Sequence, residues 1–117
     1  MSVGRLLAQR VKVREYYGAH SSGVAFFRPG VEFPARVEYT RQMVRKSSGS
    51  EVIAEVTVYL DAAADALADP RNKLLLPGDA AYDTVLADNN QSGHQVLTWG
   101  AQVDRHGQPH HVVATTI

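Results

Sequence analysis

The sequence predicts an all-β protein: a small antiparallel β-barrel with a long hairpin and one short helix. Two observations carry that prediction. Residues 31–60, VEFPARVEYTRQMVRKSSGSEVIAEVTVYL, hold two runs of period-two alternation around a polar, glycine-bearing break. Further on, short apolar runs recur with turn signals between them, the pattern of a small barrel or sandwich.

In the first alternating run Val31, Phe33, Ala35, Val37 and Tyr39 share one face, and Glu32, Arg36, Glu38 and Thr40 the other. In the second, Val52, Ala54, Val56, Val58 and Leu60 lie opposite Glu51, Glu55 and Thr57. Side chains alternate faces along a strand, so both runs describe half-buried strands. Arg45 to Ser50 has the length and composition of the tip of a long hairpin that stands beyond the barrel.

The other elements follow in chain order. Residues 1–10 read as an N-terminal arm or short helix, and Val11 to Tyr17 as a first strand. Gly18 to Gly30 is a loop punctuated by three glycines and Pro29. Its apolar insert, Val24-Ala25-Phe26-Phe27, either folds back onto the barrel or meets a neighbouring subunit. Asp61 to Asp69 is alanine-rich, opens on a capping aspartate and stops before Pro70, which predicts two turns of helix. Lys73 to Leu76 and Tyr82 to Ala87 read as strands around the turn Pro77-Gly78-Asp79. Residues 88–93 turn again. Gln95 to Val103 and His110 to Ile117 are the closing strands, joined by the turn Asp104-Arg105-His106-Gly107.

The chain of 117 residues fits one domain near the low end of what buries a self-sufficient core. With no cysteine it has neither disulfides nor thiolate chemistry, which leans towards folding inside a cell. No apolar run suits a signal peptide or membrane span. Net charge is zero but unevenly spread: residues 1–50 carry nine Lys/Arg against three acids, and residues 51–117 three against nine. A basic front and an acidic back suit subunits that meet head to tail. Zero net charge argues against a dedicated duplex-DNA binder.

Tests for chemistry fail. Gly18-x4-Gly23 is half a phosphate loop, with Val24-Ala25 where Lys-Ser/Thr is needed. No serine sits in a nucleophile elbow. Acids such as Asp83 and Asp88 stand at turns, where they are normally solvated. Among the five histidines, His110 and His111 are adjacent and should point to opposite faces of a strand; His106 could join only one of them. The expectation is no catalytic residue, no metal and no cofactor.

Three phrases resemble the head-to-tail stopper (head completion, or head closure) proteins of long-tailed bacteriophages. The first is V-x-V-R-x-Y-Y-G at Val11 to Gly18. The second, and most specific, is A-R-V-E-Y-x-R-x-x-V-R-x-S-S-G-x-E-V-x-x-x-x-T-V-Y-L at Ala35 to Leu60. The third is the turn Leu76-Pro77-Gly78 followed by a strand entered through G-x-P-H-H, Gly107 to His111. The alanine-rich residues 61–69 depart from the pattern. The resemblance spans nearly the whole chain.

It implies a virion structural protein of the neck that folds in the host cytoplasm. Such a subunit forms a homo-oligomeric ring, of six or twelve copies, between the portal-adaptor protein and the tail terminator or tail tube. The ring retains packaged DNA, touches it without sequence preference, offers the tail a docking surface and involves no membrane. Arg45, Lys46, Ser47, Ser48, Gly49 and Ser50 are then the candidates for a tip facing the channel or an adjoining ring, against an ordinary solvated turn. Phe26, Phe27, Arg36 and Arg41 are candidates for the subunit interface. The alternative is a monomeric OB-like barrel binding nucleic acid or a ligand, with Trp99 and the tyrosines as stacking surfaces.

Overall fold

The computed structural model describes residues 7–46 and 48–117. The strands are β1 (Gln9–Arg14), β2 (Tyr16–Ala19), β3 (Ala25–Phe27), β4 (Val31–Glu38), β5 (Gln42–Arg45), β6 (Glu51–Ala54), β7 (Val56–Asp61), β8 (Lys73–Leu75), β9 (His94–Val103) and β10 (Pro109–Thr116). Six of them close an antiparallel barrel in the order β1-β4-β7-β10-β9-β8. The remaining four make two ribbons, β2-β3 and β5-β6.

Alternation in the barrel strands sends one face of each strand inward. Val11 and Val13, Ala35, Val58 and Leu60, Leu74, Val96, Val112 and Ala114 fill the interior, all within 2% of full burial. The 3₁₀ helix Ala62–Leu67 follows β7 directly; Asp61 caps it, its Oδ1 accepting from the Ala63 N–H at 2.9 Å. Ala64 is fully buried in the core and Leu67 packs against it. The predicted helix is thus present but shorter and tighter, because it is tied to the strand before it and ends at Ala68 in extended backbone.

Three expectations are corrected. The arm does not extend to residue 10: Leu7 is buried and Gln9–Arg10 already belong to β1, while residues 1–6 lie outside the described residues. Gly18 to Gly30 is a hairpin rather than a loop, with Phe26 opposite Gly18 and Phe27 opposite Tyr16. Tyr82 to Ala87 is not a strand. Its backbone turns at Asp79–Tyr82 and Ala81–Thr84, and side chains take the carbonyls a partner strand would have taken.

The long hairpin also differs from its expected shape. It breaks at residues 39–41 and at Glu55, and the β5-β6 ribbon bends back so that β5 meets the outside of β7 and β9. Gln42 Nε2 donates to Thr57 Oγ1 at 2.8 Å, and β5 lies against β9. Thr57 and Thr115, on the outward face of the barrel, are buried. A polar rung, Thr98 to Thr115 at 2.6 Å, runs along this covered face. The part that stands free is the distal end of β9-β10, where residues 101–110 are all exposed.

Candidate functional site

Three hairpins share one turn. In His20–Val24, Lys46–Ser50 and Asp104–Gln108 the first N–H donates to the fifth carbonyl, at 2.7, 2.8 and 2.9 Å, and the fourth N–H to the first carbonyl. The fourth residue is a glycine with positive φ in each: Gly23, Gly49 and Gly107. This is the three-residue hairpin loop, and only glycine enters its left-handed position at no steric cost. The predicted tip is therefore closed as a tight turn by the bonds from Lys46 to Ser50 and from Gly49 to Lys46. Ser48 and Ser50 are exposed and Lys46 half-buried; Ser47 lies outside the described residues.

The ribbon's outward face is a ladder of three cross-strand rungs. Arg41 Nε pairs with Glu55 at 3.4 Å, Met43 stands opposite Ile53, and Arg45 Nη2 pairs with Glu51 at 3.1 Å. Met43 is 62% exposed and Ile53 43%. Between the tip and β9 lies a groove of about 370 Å³ lined by Arg45, Asp69, Pro70, Leu97 and Trp99. Trp99 is fixed there by its Nε1 donating to Asp65 Oδ1 at 3.0 Å.

The remaining candidates separate. Phe27 is 2% exposed, edge-on to Tyr16 and under the Arg14 guanidinium, so it is occupied within its own chain. Phe26 is half-buried between Tyr17 and His20. Arg36 bonds Glu38 and lies over the Tyr59 ring. The uneven charge along the sequence is partly closed inside the molecule, since Arg41 and Arg45 meet Glu55 and Glu51 from the other half.

Sequence reasoning missed one set of residues and misplaced a second. Arg14 is 1% exposed; its Nη1 donates to the carbonyls of Asn90 (2.7 Å) and Ser92 (2.9 Å), and its Nη2 to Ala87 (3.2 Å). Burial lowers its pKa, and nearby Asp88 opposes that. Lys12 likewise donates to the Tyr82 carbonyl at 2.6 Å, and Tyr82 Oη donates to Glu32 at 2.8 Å. Together they strap residues 77–93 onto β1 and β4. The alternation of Val11 and Val13 puts Arg14 on the opposite face of the strand and gave no sign that it was buried.

The second set is His110 and His111. Their Nδ1 atoms are 2.7 Å apart, so the expectation that they point to opposite faces is wrong. Pro109 pairs with Val103 and His111 with Gln102, which leaves His110 as the extra residue of a β-bulge. A bulge sets two residues against one and re-aims their side chains. Among the described residues no three His, Cys, Asp or Glu side chains gather as a metal set, and no helix is long and apolar enough to cross a membrane.

Five arginines hold carboxylates: Arg28 with Glu15, Arg36 with Glu38, Arg41 with Glu55, Arg45 with Glu51 and Arg71 with Asp69. Lys12 and Arg14 hold carbonyls. These seven cations have partners within the chain. No protein-family model, curated protein or solved structure matches this chain.

Proposed function

We propose that this chain is a non-catalytic, ring-forming stopper of a bacteriophage neck, retaining packaged DNA and presenting the tail with a docking surface. The observation that carries the reading is what the stopper-like phrase Ala35 to Leu60 builds. It supplies two adjacent barrel strands, β4 and β7, and between them a ribbon with an exposed ladder of ionic and apolar rungs. Such a ladder suits a neighbouring protein: the apolar rung gains by burial, and the charged rungs set register. The subunit meets its copies and the portal-adaptor and tail-terminator proteins through that face. Lys46 and the serines of the tip offer passing DNA only weak, replaceable contacts.

The test is head–tail joining with charge-swapped subunits. Arg41→Glu should impair joining while changing stability by no more than about 1 kcal/mol, because exposed ion pairs contribute little. Arg41→Glu combined with Glu55→Arg restores the pair within the chain, so a joining defect that persists belongs to the interface. Normal joining by both variants would remove the ladder from the interface. A subunit that stays monomeric with its partners and binds DNA tightly at physiological salt would overturn the stopper reading in favour of a nucleic-acid-binding barrel.

A further inference from the structure

We propose that His110 and His111 form a latch at the root of the free β9-β10 arm, closed while the two rings share one N–H and carry no more than one added proton, and opened when a second is added. The inference does not depend on the stopper reading.

The geometry is that of a shared proton. The Nδ1 atoms are 2.7 Å apart, and the ring centres are 4.9 Å apart with planes at 72°. With the ring centres so much farther apart than the nitrogens, the two nitrogens face each other nearly head-on. A metal held between two imidazoles needs their lone pairs to converge at an angle on one ion, so both rings would have to turn. Head-on nitrogens at this distance instead need one N–H between them. One ring donates from Nδ1 and the other accepts with its Nδ1 lone pair.

That requirement limits the charge. With both rings neutral the bond holds. A first added proton goes to the donor ring's Nε2, leaves the bond intact and strengthens it by charge assistance. A second has only the acceptor's Nδ1 to bind. It removes the lone pair that holds the contact and leaves two imidazolium rings pressed together. The pair therefore titrates as a unit in two separated steps. Burial and the adjacent His110 both hold His111 below the ordinary imidazole value, in keeping with resistance to that second proton.

Surrounding groups fix what opening does. From β7, Tyr59 lies 6.1 Å from the His111 ring and Asp61 pairs with His111 in register. Tyr59 in turn carries Glu38 and Arg36. Gln102 of β9 is opposite His111, and Asp65 of the 3₁₀ helix lines the same recess. Asp104, Arg105 and His106 lie beyond, in the exposed turn. Asp61 Oδ1 accepts from the Ala63 N–H and Asp65 Oδ1 from Trp99 Nε1; neither bond restores an Nδ1 lone pair between the two rings, so a doubly protonated pair must part at the bulge. Past the bulge, only the Val103–Pro109 pairing and the turn hold the arm.

The experiment is imidazole ¹⁵N NMR of the full chain from about pH 8 to pH 5, with amide hydrogen exchange over residues 101–109. The wild type should show two steps separated by more than about one pH unit. Across the lower step, exchange in the arm should rise at least tenfold, roughly, relative to His110→Gln at the same pH. In His110→Gln, His111 should titrate in one step closer to the ordinary range, and His106→Gln should leave both wild-type steps in place. Unchanged titration of His111 in His110→Gln would overturn the proposal. So would equal arm exchange in wild type and His110→Gln, or zinc chloride alone binding stoichiometrically to both rings at neutral pH.

Discussion

Replacing Arg14 with methionine keeps much of its apolar stem and removes the donors that three loop carbonyls use. Charge-assisted bonds contribute more than neutral ones, and their loss leaves the carbonyls of Ala87, Asn90 and Ser92, which these part-buried bonds hold, without their donor. Arg14→Met should cost on the order of 3 kcal/mol in urea unfolding, with Arg14→Lys in between because one ammonium cannot span the same carbonyls. A loss below about 0.5 kcal/mol would mean that water satisfies them instead. Tyr82, at the other end of the strap, has its pKa raised from 10.0 to about 12, mainly by burial and then by its bond to Glu32. The folded chain keeps this proton between those values while the unfolded chain loses it, so stability falls as pH rises through that window. Glu32→Gln should move the phenol down in a spectrophotometric titration and narrow the window. An unmoved titration would assign the whole shift to burial.

At the scale of the element, one turn recurs three times, and the fourth residue decides it. Gly49→Ala and Gly107→Ala should each cost about 1 kcal/mol, because no Cβ clash is added but the left-handed backbone is strained. Equal thermal stability of variant and wild type would show that the turn relaxes to another type. The same turn explains what could be read in advance. The β4 and β7 alternation was legible because one face of each strand meets the core, and the Asp104–Gly107 turn because its residues are turn formers. The β2-β3 hairpin was legible in principle, since Ser21-Ser22-Gly23 repeats Ser47-Ser48-Gly49, but three glycines and Pro29 within residues 18–30 carry the composition of a loop. Tyr82 to Ala87 misled because its apolar residues suit a strand, whereas Lys12 and Arg14, distant in sequence, satisfy its carbonyls. The bend at Glu55 and the bulge at His110 leave no local pattern. Each depends on what the opposing strand does, and the covered face of Thr57 and Thr115 looks solvent-facing in sequence.

Across the whole molecule the barrel is not equally closed all round. β10 pairs β7 from His111 to Thr116 and β9 along nearly its whole length. β8 meets β1 only through Lys12, Val13 and Arg14, and β9 only through Gln95 and His94. The seam lies at β8, and the strap from Pro77 to Gly93 is held down beside it by Arg14, which is itself opposite Lys73. Gly93 lets the chain re-enter the barrel there: its φ is +122°, and a Cβ would stand 2.8 Å from Lys73 Cβ. Local openings draw on the regions with fewest hydrogen bonds, so this barrel should open at β8 before it unfolds. In native-state hydrogen exchange the amides of β8 should therefore report a smaller opening energy than those of β7 and β10. Gly93→Ala should lower the β8 value further while leaving β10 nearly unchanged until global unfolding takes over. Protection in β8 equal to that in β10 would sink the seam, and would mean that Leu74 and Leu76, fully packed in the core, hold the strand as firmly as its missing pairs would have done.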